Sequence, residues 1–550
     1  MLAAAVAYGP PVDYEVTLAG NFGEPRQGHF HGGIDVKTGG VKGKAVYSIA
    51  DGYVSRLTTG LYGFGNAVYV THPDGNTSVY CHLEKFIPRL ARLVRESGGD
   101  ARTAVRDVRL GPADCPVAQG ELIAVSGNSG ASKAPHLHLE IHDTRTGRLK
   151  DPLDFLKAYV RDTVPPQAFG VMACPVSGRG LFNGKTWRQS FGLSARSTDR
   201  RFTAWGQVRF ALWANDYSGT AYNSLGVREV TLTVDGSVAF HSDIGRGMPA
   251  HCQRQIGLYA DCGHYRKYRT WYMKSFCLPG SPLSCLYDGK DGGTVRFDEE
   301  RDYRVEYTLT DAYGNVSSYA FTVRGQRAAI EDVPQREDSL MTARADRITS
   351  CVMPGAQLVL PAWCLAEDTR LCPTAKSAKR HDTDGQRHIL SPQYSFAREA
   401  LWLPMPAELN IAVEEDVDDT TKLYISRAGD PDVFMGGTYV GGYVTTYIRD
   451  IGARYTLEYD DTPPDIAPLA AGRGRAADEY RFRVTDSGSG VSSCDAYIDG
   501  ISVPVERTGK TVSCRLRDGA LRKTGGTRRL RIAATDNRDN TSEYETDIIY

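Results

Sequence analysis

The chain has 550 residues, of which 41% are apolar and 24% charged, and a formal net charge of −1. That length exceeds one ordinary hydrophobic core and sets an expectation of roughly three to four domains. A balanced charge offers no broad basic field for nucleic acid or acidic lipid, and no apolar run reaches the ~20 residues of a membrane helix, so neither a nucleic-acid partner nor a transmembrane segment is expected.

The 57 Gly, 27 Pro and 30 Tyr favour turns and strands over helical bundles, so the fold class is expected to be dominated by β-structure. The start, Met1-Leu-Ala-Ala-Ala-Val-Ala7, ends in Ala-x-Ala but has no basic n-region. It reads as the remnant of a trimmed signal peptide, with a plain apolar start as the alternative.

Residues 14–160 are dense in strand signals. Residues 14–18, 46–49 and 52–57 read as strands. Residues 66–72 alternate, Pro73-Asp74-Gly75-Asn76 supplies turn chemistry, and residues 77–83 alternate again, which predicts a hairpin. Residues 87–96 place Ile87, Leu90, Leu93 and Val94 at helical spacing, an inserted helix. Residues 121–126 and 136–141 close the unit as strands.

A linker, Asp162-Thr-Val-Pro-Pro166, is echoed by Asp461-Thr-Pro-Pro464. The segments downstream of the two linkers also match. Leu212-Trp-Ala-Asn-Asp-Tyr-Ser-Gly219 and Thr310-Asp-Ala-Tyr-Gly-Asn315 correspond to Phe482-Arg-Val-Thr-Asp-Ser-Gly488 and Thr535-Asp-Asn-Arg-Asp-Asn540. Such an internal repeat predicts two immunoglobulin-like β-sandwich modules, at 165–325 and 465–550. Residues 340–460 suggest another β domain, with a polar stretch at 374–387.

Ten of the twelve cysteines follow residue 170, and none forms C-x-x-C. Cys252, Cys262, Cys277 and Cys285 read as two disulfides of open connectivity, and Cys494 with Cys514 as a third, in an oxidising compartment. Scattered buried thiols are the alternative.

His136 and His138 are two apart in a strand and share one face, with Leu137 and Leu139 on the other. Two imidazoles on one sheet face need a partner, and zinc is a natural one. Upstream, Gly28-His-Phe-His-Gly-Gly-Ile-Asp35 places His31 four residues before Asp35, and Gly32-Gly33 lets the backbone bend between them. His29 is a rival first ligand. The hairpin adds His82.

These motifs, His31-Gly-Gly-Ile-Asp35, Tyr80-Cys-His-Leu83, and Gly127-Asn-Ser-Gly130 leading to Pro135-His-Leu-His-Leu-Glu140, resemble the lysostaphin-type (LytM-like) zinc endopeptidases that cut peptidoglycan cross-links. Asn21-Phe-Gly, Ala50-Asp-Gly52, Gly63-Phe-Gly-Asn66 and Asp151-Pro152 agree. The likeness spans residues 14–156, roughly a quarter of the chain.

The resemblance implies an antiparallel β-sheet peptidase domain of the duplicated hybrid type. It implies Zn2+ held by His31, Asp35 and His138, with His82 and His136 as the catalytic pair. It implies a metalloendopeptidase acting on peptidoglycan peptide cross-links through a metal-activated water, in the periplasm, cell envelope or secreted space. The β modules would then meet the substrate or an envelope protein partner. Alternatives are a catalytically silent activator of wall hydrolases, or an adhesion or scaffold protein with a vestigial peptidase domain.

Three departures stand out: Cys81 for a small residue, Leu139 for Phe, and Lys133-Ala134 for a pair ending in Gly. A Cys81–His82 nucleophile pair is disfavoured, because strand alternation points them apart. Residues 60–65 read as a glycine turn and not a phosphate cradle. His251 and His264 read as loop residues, and Trp205, Trp213, Trp271 and Trp402 as packing residues.

Overall fold

The computed structural model describes residues 6–60, 63–96, 106–193, 201–219, 223–278, 280–330, 341–365, 367–377, 388–398, 401–429, 432–469, 479–503, 505–515 and 526–549. About 51% is strand and 9% helix, so the chain is all-β, as its Gly, Pro and Tyr content implied. Residues 1–5 of the apolar start, 61–62 of the glycine turn and 378–387 of the polar stretch lie outside the described residues. No described helix is long and apolar enough to cross a membrane. Two compact units divide the chain, Met1–Arg336 and Glu337–Tyr550.

The first unit opens with a large antiparallel sheet. Its path runs Leu18–Gly20, Ile34–Lys37, His136–Asp143, Asn76–Cys81, Ala67–Thr71, Gly52–Thr59 and Arg106–Arg109. A smaller sheet joins Ala45–Tyr47, Leu122–Ser126 and Leu83–Phe86. One core fills the space between them: Val36, Val68, Leu137, Leu139 and Ile141 from the large sheet meet Val46, Leu83 and Ile123 from the small one. Each such side chain contributes about 1.5–3 kcal/mol by leaving water. Burial of Leu137, Leu139 and Ile141 turns His136, His138, Glu140 and His142 to the opposite face, because side chains alternate along a strand.

Several boundaries differ from the sequence pattern. The first strand starts at Leu18, where pairing with Val36 begins, and not at Tyr14. The second arm of the hairpin ends at Cys81. His82 then takes a left-handed backbone (φ 59°), and the chain leaves the large sheet to enter the small one at Leu83. A non-glycine residue held there is uncommon and is characteristic of functional positions.

The next part of this unit is a ten-stranded sheet along which Gln189–Gly192, Gln167–Phe182, Arg201–Asn215, Val316–Gly325, Asp302–Thr310, Glu229–Val234 and Ser237–Asp243 follow in order. The segment carrying Cys252, Cys262, Cys277 and Cys285 holds two short helices, Ile256–Tyr259 and Cys262–Tyr268.

The disulfide expectation is corrected here: none of the twelve cysteines is joined in a disulfide. Their sulfurs meet local needs, with Cys252 Sγ donating to Pro282 O and Cys277 Sγ to Leu278 O. Cys514 is a core residue of one sheet, whereas Cys494 sits on the other sheet of the same module.

In the second unit, a five- and a six-stranded sheet are built from strands between Thr349 and Tyr459. Two four-stranded sheets follow, sharing a core of Phe482, Val484, Ile498, Val512, Leu530 and Ile532. The repeat seen in the sequence has structural counterparts: Ser317 Oγ donates to Pro166 O, and Ser542 Oγ to Pro464 O.

Candidate active site

Pairing of Ile34–Lys37 with His136–Asp143 sets His138 directly opposite Asp35. Gly33 permits this. A Cβ there would lie 2.0 Å from Leu139 O, so any side chain would push the two strands apart. Close approach is therefore the reason for this glycine, since neither Gly32 nor Gly33 has positive φ. Next to the pairing, His31 enters from the preceding loop.

Three donor atoms converge. His31 Nε2 lies 3.0 Å from Asp35 Oδ1 and 3.0 Å from His138 Nδ1, and His138 Nδ1 lies 2.8 Å from Asp35 Oδ1. All three residues are buried. Each donor is aimed by a second contact. His31 Nδ1–H donates to Asn21 O at 2.7 Å, which leaves Nε2 unprotonated. His138 Nε2–H donates to Glu140 Oε1 at 2.9 Å, which leaves Nδ1 inward. Arg26 Nη2 donates to Asp35 Oδ2 at 2.8 Å, so Oδ1 is the oxygen left for the cluster.

Glu140 is itself fully buried and accepts from His142 Nε2 at 2.5 Å. Burial works against its charge, but the hydrogen bonds and charges of His138 and His142 outweigh it and hold the carboxyl well below the ordinary range.

The cluster fits a tetrahedral N/N/O metal site. Bonds of about 2.0–2.1 Å imply ligand–ligand edges of about 3.3 Å, close to the observed triangle. Imidazoles whose outer N–H groups bond oxygen acceptors are the usual support of a zinc ligand.

His136 and His82 flank this cluster. The His136 and His82 ring centroids are 4.9 Å apart, and those of His82 and His138 are 5.7 Å apart. His136 Nδ1–H donates to Ala134 O at 2.8 Å, which leaves Nε2 basic and 3.3 Å from Asp35 Oδ1. His82 Nδ1–H donates to Ser129 O at 2.9 Å. Burial, with His138 and His136 nearby, pushes the pKa of His82 down to about 4, so it is neutral at physiological pH. The Ser129 turn packs against the glycine turn, where a Cβ on Gly65 would meet Ser129 C at 2.5 Å.

The structure therefore brings together His31, Asp35, His82, His136 and His138. It leaves His29 exposed and outside the donor cluster. Cys81 is fully buried, and burial, then the Glu140 and Asp35 charges, raise its thiol well above the ordinary value. Lys133 is exposed near the turn that supports His136.

The positioning roles of Glu140, Arg26 and Asn21 were not assigned from the sequence. Glu140 was within reach, because it lies two residues beyond His138 on the same strand face. The β module's part was not. Gln253 O accepts from Phe30 N, and Gly226 exchanges two hydrogen bonds with the Asn21 side chain, so both brace the loop that carries His31.

Residues 29–95 match the model of peptidase family M23. The chain carries a peptidase family M23 domain. Residues 341–460 match a Zu5-like domain. The chain is 31% identical over 123 residues to an uncharacterized metalloprotease of Haemophilus influenzae, an alignment that covers 22% of this chain and 20% of that protein. It is 32% identical over 136 residues to the murein hydrolase activator NlpD of Salmonella dublin, which covers 25% and 28%. The chain thus spans less than a third of the length of either relative. Among solved structures, a zinc-containing peptidase from Vibrio cholerae is 27% identical over 26% of this chain and 39% of that one, with a TM-score of 0.20. The catalytic domain of lysostaphin from Staphylococcus simulans is 26% identical, covers 26% and 90%, and has a TM-score of 0.19.

Proposed function

We propose that the M23 domain is a zinc-dependent endopeptidase that hydrolyses peptide cross-links of peptidoglycan in the cell envelope or outside the cell. The observation that carries this reading is the convergence of His31 Nε2, Asp35 Oδ1 and His138 Nδ1 beside two further imidazoles. Zinc held by these three atoms supplies a Lewis acid that polarises a carbonyl and acidifies a water.

The chain's own residues supply the rest. Asn21 O, Glu140 and Arg26 hold the three ligands in their tautomers and orientations. His82 and His136 each commit Nδ1–H to a backbone carbonyl and keep Nε2 as a base. One of these nitrogens takes the proton of the attacking water, and the proton then passes to the leaving amine. Phe64 stacks at 6.0 Å on His138 and walls one side of the ligand. The β modules present the domain to its substrate or to an envelope protein partner.

A second reading, a catalytically silent activator of wall hydrolases, is favoured by the likeness to murein hydrolase activator NlpD. The full set of His31, Asp35, His82, His136 and His138 supports catalysis instead. The two readings separate in one experiment. Zinc-loaded protein is incubated with purified peptidoglycan and the fragments are identified by mass spectrometry. New peptide termini, absent with His31→Ala, support the endopeptidase. No cleavage by zinc-loaded protein that still stimulates a separate wall hydrolase sinks it in favour of the activator.

A further inference from the structure

Outside the M23 site, two other clusters of metal-ligating side chains occur among the described residues, and both are made of aspartates alone. We propose that Asp162, Asp216 and Asp311 form a calcium site in the first β module, and that Asp460, Asp486 and Asp536 form its counterpart in the last.

In the first cluster the ligand oxygens lie within 4.8 Å of one another. Asp162 comes from the connector after the M23 domain, Asp216 from the end of Arg201–Asn215, and Asp311 from the end of Asp302–Thr310. Asp216 and Asp311 are only 4% and 3% exposed. No described Lys, Arg or His forms an ion pair with any member of the first cluster, whereas the Arg538 charge acts on Asp536 and Asp460 of the second. Three close carboxylates without a cation repel one another in a medium that screens poorly.

A second observation points to a ligand. Asp216 Oδ1 is inaccessible to solvent and has no hydrogen-bond partner. A buried carboxylate oxygen left unbonded is strongly unfavourable, so a native structure that keeps one calls for an ion. The Tyr313 hydroxyl, two residues beyond Asp311, is also buried without a partner. In the last module the unpartnered atom is Ser489 Oγ, on a residue 3% exposed whose N–H bonds Asp460 Oδ2 at 2.6 Å.

The two clusters are equivalent by position. Asp311 accepts from the backbone N–H of Tyr313 and Asn315 and from the Asn315 side chain, and Asp536 accepts in the same way from Arg538 and Asn540. The equivalence pairs Asp162 with Asp460, each four residues before the second proline of its linker. The arrangement survives although Asp216 and Asp311 lie 95 positions apart in the first copy and Asp486 and Asp536 only 50 in the second.

An all-oxygen, all-carboxylate donor set suits a hard cation and does not favour zinc. Calcium–oxygen distances of about 2.3–2.6 Å place opposite ligands up to about 5 Å apart, which matches the spread of the cluster. Magnesium demands a tighter octahedron and sheds water reluctantly. A bound ion would tie each connector to two strand ends of the module it leads into.

Equilibrium dialysis against calcium of the full chain, loaded with one equivalent of zinc and freed of calcium, tests this. The expected result is two Ca2+ per chain with half-saturation at about 0.1–1 mM. Asp216→Asn and Asp486→Asn should each bind one, and the double variant none. Asp216 Oδ1 makes no contact that Asn would lose, so the calcium-free Asp216→Asn chain should keep the wild-type circular dichroism. Calcium should raise the melting temperature of wild type and, by less, of each single variant, but not of the double variant, and magnesium at the same concentration should raise none of them. No saturable calcium up to about 10 mM, or two ions retained by the double variant, would overturn the proposal.

Discussion

The His31, Asp35 and His138 cluster of the M23 domain and the aspartate cluster of the adjoining β module each join three donor atoms, yet they are mounted in opposite ways. Asp35 and His138 face each other across paired strands, and their outer atoms are bonded to Arg26 and Glu140. Asp162, Asp216 and Asp311 sit where strands end and a connector begins, and Asp216 Oδ1 is bonded to nothing. A sheet face with satisfied outer contacts pre-forms a precise site for chemistry. Strand ends whose carboxylates repel one another make a joint that a bound cation would stabilise.

The largest test of this contrast is His31→Ala. It removes one of three donors from the rigid cluster and should abolish bound zinc, by elemental analysis, and lower hydrolysis by about 10³-fold or more. His82→Ala and His136→Ala should instead leave zinc at one per chain and lower kcat by about 10²–10⁴-fold. That split would separate the flanking imidazoles from the ligands.

Glu140→Gln keeps size but removes the charge behind His138. Competition with a chromophoric chelator should show zinc affinity weakened by about 10–100-fold. Leu139→Ala leaves every ligand in place but opens the core beneath them, and denaturant unfolding should show a loss of about 2–5 kcal/mol.

The smallest effect belongs to the aspartate joint. Burial and the Asp162 and Asp311 carboxylates push Asp216 from its ordinary value near 3.8 up to about 8. The folded, calcium-free protein then holds a proton that the unfolded chain has released between those two values. Its stability therefore falls as pH rises through that window. Urea midpoints at about pH 5 and pH 8 should show the fall, and Asp216→Asn or saturating calcium should reduce it.

Much of the M23 site was legible because its signals are local. His136-x-His138 reads as one strand face through the two-residue period, and His31 and Asp35 lie close in sequence. The left-handed turn at His82 was not legible, because a period-two pattern runs through the residue where the chain changes sheets. Nor were the thiols. Spacing made Cys494 and Cys514 look like partners, but cysteine spacing carries no information about which sheet each side chain enters. The repeat flagged Asp311 and Asp536 within matching turns, yet it aligned Asp162 with Asp461, one residue off the structural match.

By itself the sequence determined the β-rich class, the order of the M23 motifs and the face shared by the two strand histidines. All three come from composition and from the fixed alternation of side chains along a strand. Only the tertiary structure decided which atom of each imidazole turns inward, since that depends on carbonyls and carboxylates contributed by other elements. It also decided that aspartates about 50 to 150 residues apart in sequence meet at one point. Hydrogen-bond partners and charge clusters of this kind are set by packing, and no local pattern encodes them.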